Sequence, residues 1–379
     1  MRRYSRTEEE AIRTSALVRQ WERSGFLRED QAIDLAAKLH TDLRYTNWLF
    51  RLVLFFFTAN IVGASLWLIV STLELNGKTS TALLSIGGAA VCFVAADLLV
   101  ACNRLYRFGI EEALAVASAV LLTAGVSVFA SVDVFKSEAL AMLCLCLVLL
   151  YARFGYLYAG MAAMIGTALI PFTIETSSEI QRLSAALIFA CWFVLVRRKR
   201  LIWGEDFPGD DYGVLQALAW TGMYIALNVQ LGYFQATIPF RFYWFTYAMI
   251  CLMPIVGLWL ALEKKDRPLM QVNIAIALAT LATNKPYLGL DRKPWDPILL
   301  GLLLMCVAVF VKRWLANGTD GQRYGFTAAR LLAGDSKIMA VIATTSAALQ
   351  PDIPSPSTAQ PQTDFGGGRS GGAGASGTF

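Results

Sequence analysis

The chain has 379 residues, 56% of them apolar and 16% charged, with a mean hydropathy of +0.52 and a formal charge of +5. A soluble domain carries about 25% charge, so this composition excludes an ordinary soluble enzyme. The modest positive balance sits at the flanks of apolar runs, which argues against a nucleic-acid-binding face.

Residues 1–46 are polar, have a helical period and read as a cytoplasmic helical hairpin. Leu17, Trp21 and Phe26 alternate with charge, Gly25 is placed to cap a first helix, and Ile33, Leu35 and Leu39 begin a second apolar stripe after Asp30. Two short helices cannot bury a core alone, so the hairpin is expected to pack on a membrane bundle or on a protein partner. It lacks the third helix and basic face of a helix-turn-helix DNA reader. With no cleavable signal peptide in this region, the first apolar run is expected to act as an uncleaved anchor.

About ten apolar stretches follow between Trp48 and Leu315, near 48–70, 80–101, 112–132, 138–152, 155–174, 182–196, 214–233, 242–262, 269–287 and 296–315. A bilayer core calls for roughly 20 apolar residues per helix, and backbone groups in lipid must be satisfied within their own segment. Continuous rather than alternating runs speak against a transmembrane barrel. The chain therefore reads as all-α, a polytopic bundle of ten spans over residues 47–316. The runs Ala139–Ala152 and Leu183–Val196 hold about 14 residues each and suit re-entrant or buried helices, which makes eight spans the alternative.

Orientation follows from the basic residues of short loops. One set of loops carries Arg104, Arg107, Arg153, Arg197, Arg198, Lys199, Arg200, Lys264, Lys265, Arg267, Lys312 and Arg313. The other carries Lys78, Lys136, Arg182, Arg241, Lys285, Arg292 and Lys293. The richer set lies on the side of Arg2, Arg3, Arg6 and Arg13, which predicts both termini in the cytoplasm. Phe240, Phe242, Tyr243, Trp244, Phe245 and Tyr247 crowd one helix start, as an interfacial aromatic belt would. After a juxtamembrane segment (317–349) the chain is Pro/Ser-rich and then Gly-rich from 350 to 379, a composition that does not fold.

The segment Trp21-Glu22-Arg23-Ser24-Gly25-Phe26-Leu27, then Gln31-Ala32 and Leu35, running into an apolar helix, resembles bacterial predicted membrane proteins whose N-terminal region is domain of unknown function 2157. The resemblance covers roughly residues 8–135, including Glu111-Glu112-Ala113-Leu114. It implies a multi-pass membrane protein of unassigned activity and supplies no catalytic residues.

Polar side chains within apolar stretches are the candidates for function, because each must find a partner there. They are Asn60 in the first stretch, Asp97 in the second, Asn228 and Gln230 in the seventh, and Asn273 in the ninth. The competing role is helix–helix hydrogen bonding for the amides and, for Asp97, an interfacial salt bridge to Arg104 or Arg107. Glu111 and Glu112 open the third stretch, where a carboxylate complements the helix dipole. Pro171 and Pro254 interrupt two stretches, and Gly160, Ala162 and Gly166 form a small-residue face.

Enzyme signatures are missing from the sequence. His40 is the single histidine, and the cysteines Cys92, Cys102, Cys144, Cys146, Cys191, Cys251 and Cys306 have no metal-site spacing; no metal or cofactor is implied. The acidic loop Glu205–Asp211 reads as a solvated turn. The chain is thus expected to be a structural or protein-interaction component of the membrane, without a catalytic centre. The alternative is a transporter or channel for a small or amphipathic solute. A third reading, an enzyme on lipid-linked substrates, would use Glu111, Glu112 and Asp97 near Arg104 and Arg107.

Overall fold

The computed structural model describes residues 6–23, 27–39, 41–44, 46–75, 77–132, 136–203, 211–231, 239–264, 266–290, 293, 295–318, 322–323 and 326–327. Gly25, His40, most of the acidic loop and the Gly-rich tail lie outside the described residues.

Two helices lead the chain, α1 (Arg6–Arg23) and α2 (Glu29–Lys38). Each apolar stretch is then a helix: α3 (Trp48–Thr72), α4 (Lys78–Asn103), α5 (Ile110–Phe129), α6 (Ser137–Phe154), α7 (Leu157–Leu169), α8 (Ser178–Trp203), α9 (Asp211–Leu227), α10 (Phe240–Lys264), α11 (Arg267–Tyr287) and α12 (Asp296–Ala316). Beyond α12, the two-residue strands β1 (Gln322–Arg323) and β2 (Phe326–Thr327) pair antiparallel. Among the described residues six helices are long and apolar enough to cross a membrane: α3, α4, α5, α6, α8 and α10. The fold is therefore all-α and that of a multi-pass helical membrane protein.

Two of those six correct the sequence reading. The runs expected to be marginal lie in α6, with 18 residues, and α8, with 26. Helix α8 begins with the polar turn Ser178–Arg182 and ends with Arg197–Trp203, so counting apolar residues alone underestimates it. The reverse holds for the fifth stretch. Helix α7 ends after 13 residues, and Pro171 sits in a 3₁₀ turn over Ile170–Thr173. Proline removes a backbone donor and clashes with the preceding turn. By contrast Pro254 and Pro286 lie inside α10 and α11 without ending them.

The helices pack mainly as sequential pairs, α4 on α5, α6 on α7, α8 on α9 and α10 on α11, cross-linked by α3 on α5, α5 on α6, α7 on α8 and α9 on α11. Two apolar cores result. One gathers Ala96, Ala115, Ala119, Leu150, Phe154 and Tyr156 from α4 to α7, and the other gathers Met164, Phe189, Leu215, Trp220, Ile250 and Ile276 from α7 to α11. Small residues set the close approaches. A Cβ on Gly166 would lie 2.6 Å from Cys144 Sγ, and one on Gly160 would lie 3.1 Å from the Tyr151 ring. The small-residue face of α7 thus packs within the bundle, against α6, although Ala162 itself points outward. Large apolar side chains such as Trp67, Val91, Leu187, Ile255 and Phe310 are exposed on the perimeter, where a bilayer would cover them.

The turn into α5 is tight. Gly109 caps α5 at φ 108°, and a Cβ there would stand 2.3 Å from the Arg51 carbonyl oxygen of α3. Both the left-handed backbone and the close approach require glycine. Gly109→Ala is expected to destabilise the protein by about 1–3 kcal/mol or more, seen as a lower thermal midpoint in detergent. Gly63→Ala, with open space around its Cβ, is the control and should leave the midpoint unchanged or raise it.

Candidate functional site

Polar side chains concentrate at the two ends of the bundle. At the end carrying α1 and α2, ion pairs join elements far apart in sequence. Arg51 of α3 grips Glu112 of α5 with two hydrogen bonds, Nε to Oε2 at 2.6 Å and Nη2 to Oε1. Glu112 is 2% exposed, so this bidentate pair is nearly desolvated on its acidic side. Its neighbour Glu111, fully buried, turns back to accept from the Phe108 backbone N–H at 2.6 Å, a cap on the first turn of α5. The two adjacent glutamates therefore have different tasks, a cap and a tether, and the tether was not visible in sequence.

Asp97 corrects its expected partner. It accepts from Arg153 Nη2 at 2.8 Å, across from α4 to the last turn of α6. Arg104 and Arg107 fall beyond the end of α4 in left-handed conformations, φ 50° and 51°, that turn them elsewhere. Arg104 reaches Asp42 at 2.9 Å and Glu8 at 3.5 Å; Arg107 reaches Asp211 at 3.6 Å. The cluster that an enzyme reading needed is thus divided among separate pairs.

Asp211 opens α9 at 6% exposure and also accepts from Arg13 of α1 at 3.1 Å, so it is not part of a solvated turn. Arg200 is paired with Asp266 and lies 3.4 Å from Gln216 Oε1. Val18 is buried, Ile12 packs on the first core, and Arg44 bridges Leu105 in parallel. Helix α1 is docked on the bundle by apolar contact and charge together. Beneath it Phe154, Tyr156 and Tyr158 stack, with ring centroids 5.3 and 5.5 Å apart, through the corner where Gly155 caps α6 in the left-handed region. Burial pushes the Tyr106 phenol in this layer above its ordinary range.

The amides do not form one site. Asn60 is exposed on α3 and bonds the Phe56 carbonyl of its own helix at 2.7 Å, so the deepest amide in the sequence faces outward. Asn273 is 1% exposed; it accepts from Trp220 Nε1 at 2.9 Å and donates to Leu269 O at 2.7 Å. A Cβ on Gly257 of α10 would lie 2.0 Å from Asn273 Oδ1, so three helices meet at this bond.

Asn228 terminates α9 at the opposite end of the bundle, completely buried. It donates to Tyr224 Oη at 3.0 Å and to Thr283 Oγ1 at 3.3 Å, and accepts from the Gln230 backbone N–H at 3.0 Å. The Tyr224 hydroxyl lies 3.0 Å from Thr280 Oγ1, and Tyr287 Oη accepts from Val229 N–H at 2.8 Å. Gln230 is exposed and donates to Tyr243 Oη at 3.2 Å. The aromatic run at the start of α10 is accordingly only partly a belt. Phe240 is exposed, but Phe242 is buried, Tyr243 donates to Tyr287 O at 2.9 Å and Tyr247 to Asn284 Oδ1 at 2.5 Å.

Arg182 is the residue that the sequence reading missed. Counted there as a loop charge, it stands one turn inside α8 at 7% exposure. Its only signal was a lone cation beside an apolar run. Among the described residues no group of three His, Cys, Asp or Glu side chains gathers into a metal site.

The chain matches no family model, no curated protein and no solved structure.

The Arg51–Glu112 and Arg153–Asp97 pairs differ in the exposure of their carboxylates, 3% against 22%, and should differ in energy. Glu112→Gln leaves Arg51 without its charge partner and is expected to cost about 2–4 kcal/mol. Asp97→Asn, in a pair whose side chains are 22% and 32% exposed, is expected to cost about 1 kcal/mol or less. Unfolding of each variant in detergent measures both; equal losses would contradict this ranking.

Proposed function

We propose that this chain is a structural or protein-interaction component of the bacterial inner membrane, threaded ten times with both termini in the cytoplasm, and without a catalytic centre. The observation carrying this reading is that the two buried amides, Asn228 and Asn273, are consumed by packing, while Asn60 faces outward. Asn228 and Asn273 tie helices together, and Asn60 bonds its own backbone. A solute pathway would instead direct such groups into a shared aqueous cavity. The ion-paired end supports a recruiting role: it anchors α1 and leaves α2 largely exposed beside it. The resemblance to the family with domain of unknown function 2157 agrees with a membrane role and adds no activity. Lipids are the surrounding partner, and a protein partner is assigned to the N-terminal helices or the tail; no cofactor and no nucleic acid enter.

Water access tests the reading. With the seven native cysteines replaced, Asn228→Cys is expected to resist a membrane-impermeant thiol reagent in intact cells and in inverted vesicles. Labelling from either side would reveal an aqueous route and give the lead to a transporter. Threading is checked separately by reporters. A fusion after Trp203 should report cytoplasm and one after Glu175 the opposite side.

A second reading, a transporter or channel for a small or amphipathic solute, draws on one specific observation, a cavity of about 380 Å³ between α7, α8 and α9 that Arg182 lines.

A further inference from the structure

A cavity of about 380 Å³ lies between α7, α8 and α9, within the range of roughly 300–1,000 Å³ found for small-ligand sites. Its lining is apolar along its length, with Ile165 and Leu169 from α7, Phe189 from α8 and Ile225 from α9. The single charged side chain in it is Arg182. Arg182, Ala185 and Phe189 descend one face of α8, so the cation stands at one end and about 10 Å of apolar wall leads away from it. Arg182 and Arg200 are 18 positions apart on α8, roughly 27 Å at a rise of 1.5 Å per residue, so the cation sits at the end remote from the ion pairs.

The guanidinium is under-compensated. Nη1 lies 3.4 Å from the Ala226 carbonyl and 3.5 Å from the Asn228 carbonyl, both at the end of α9. These are long contacts to neutral acceptors, and among the described residues no carboxylate pairs with it. A 93%-buried cation without an anion is costly, whereas Arg13, Arg51, Arg104, Arg107, Arg153 and Arg200 each have a carboxylate partner. The mouth is formed by side chains that are themselves exposed on the bundle perimeter, Ile165 at 42%, Leu169 at 49% and Ile225 at 54%. The mouth therefore opens on the perimeter, where a bilayer would lie.

We propose that this cavity binds an anionic phospholipid, with one acyl chain along the α7–α8–α9 wall and the phosphate on Arg182. Three features fit that occupant. The volume suits a single chain, the cation stands toward a helix end where headgroups lie, and the apolar wall runs toward the middle of α8. The cavity between α4, α5 and α6, about 270 Å³ and lined by Ile86, Phe93 and Leu149, has no charged side chain and offers no such head recognition. The proposal assumes the membrane location and is independent of the scaffold role.

The test uses the full chain, purified and delipidated in neutral detergent, with binding followed by native mass spectrometry and by thermal midpoint. Phosphatidylglycerol is expected to bind roughly tenfold or more tighter than phosphatidylcholine of the same chains and to raise the midpoint. Arg182→Gln should abolish that preference and Arg182→Lys keep part of it. Ile225→Trp, on an exposed rim, should weaken binding of both lipids by filling the mouth; it carries the test if Arg182→Gln does not fold. Equal binding of the two lipids, or an unchanged preference in Arg182→Gln, overturns the proposal. So does tight, Arg182-dependent binding of oleate without phosphatidylglycerol binding, which would assign a free carboxylate instead. Alkaline extraction of the membrane fraction reports separately on membrane insertion.

Discussion

A side chain or backbone group that leaves water for hydrocarbon must find its partner inside the protein, and the arrangement of this bundle follows from that constraint. Hydroxyls satisfy it locally: Ser118, Thr123, Thr221, Thr280 and Thr283 each donate to a carbonyl three or four residues earlier. The large amides cannot all do so and therefore select neighbours. Asn273 fixes α9 against α11 through Trp220, and Asn228 fixes the end of α9 against Thr283. Charges obey the same rule at greater distance, which is why Arg51 and Glu112 bring α3 to α5. Arg182 departs from it and so points outside the polypeptide.

The same constraint explains what was legible in the sequence. The class and the positions of α3 to α12 could be read because long apolar runs form helices, six of them long and apolar enough to cross a membrane among the described residues. Helix lengths could not, since α8 recruits charged turns at both ends while Pro171 cuts α7 short. Pairing was the least legible part. Asp97 has two basic residues within ten positions and chooses Arg153, 56 positions away. Nothing local encodes that choice; the left-handed turns at Arg104 and Arg107 and the packing of α4, α5 and α6 make it. Likewise Asn60 looked deepest by position along its helix, but the direction in which a helix faces depends on neighbours that only the folded chain supplies.

The two ends of the bundle are chemically unlike. One is held by full charges, Arg13 and Arg107 on Asp211 and Arg200 on Asp266, with α1 laid across it. The other is held by neutral hydroxyls, amides and aromatic rings around Tyr224, Tyr243 and Tyr287, with Lys285 on Asp296 at 2.5 Å leading into α12. The carboxylates of the first end are nearly buried, Asp211 at 9% and Asp266 at 2% side-chain exposure, so salt reaches those pairs less than the more exposed Lys285–Asp296 pair at the other end.

The contact between Arg13 and Asp211 spans 198 positions. A ribosome adding about 5–20 residues per second takes roughly 10–40 s to travel from one to the other. Throughout that interval α1 exists without the carboxylate that later secures it, while α3 to α8 are being made. The docked arrangement is therefore a late event in the life of each molecule, and the N-terminal helix spends its first seconds available to whatever else the nascent chain meets.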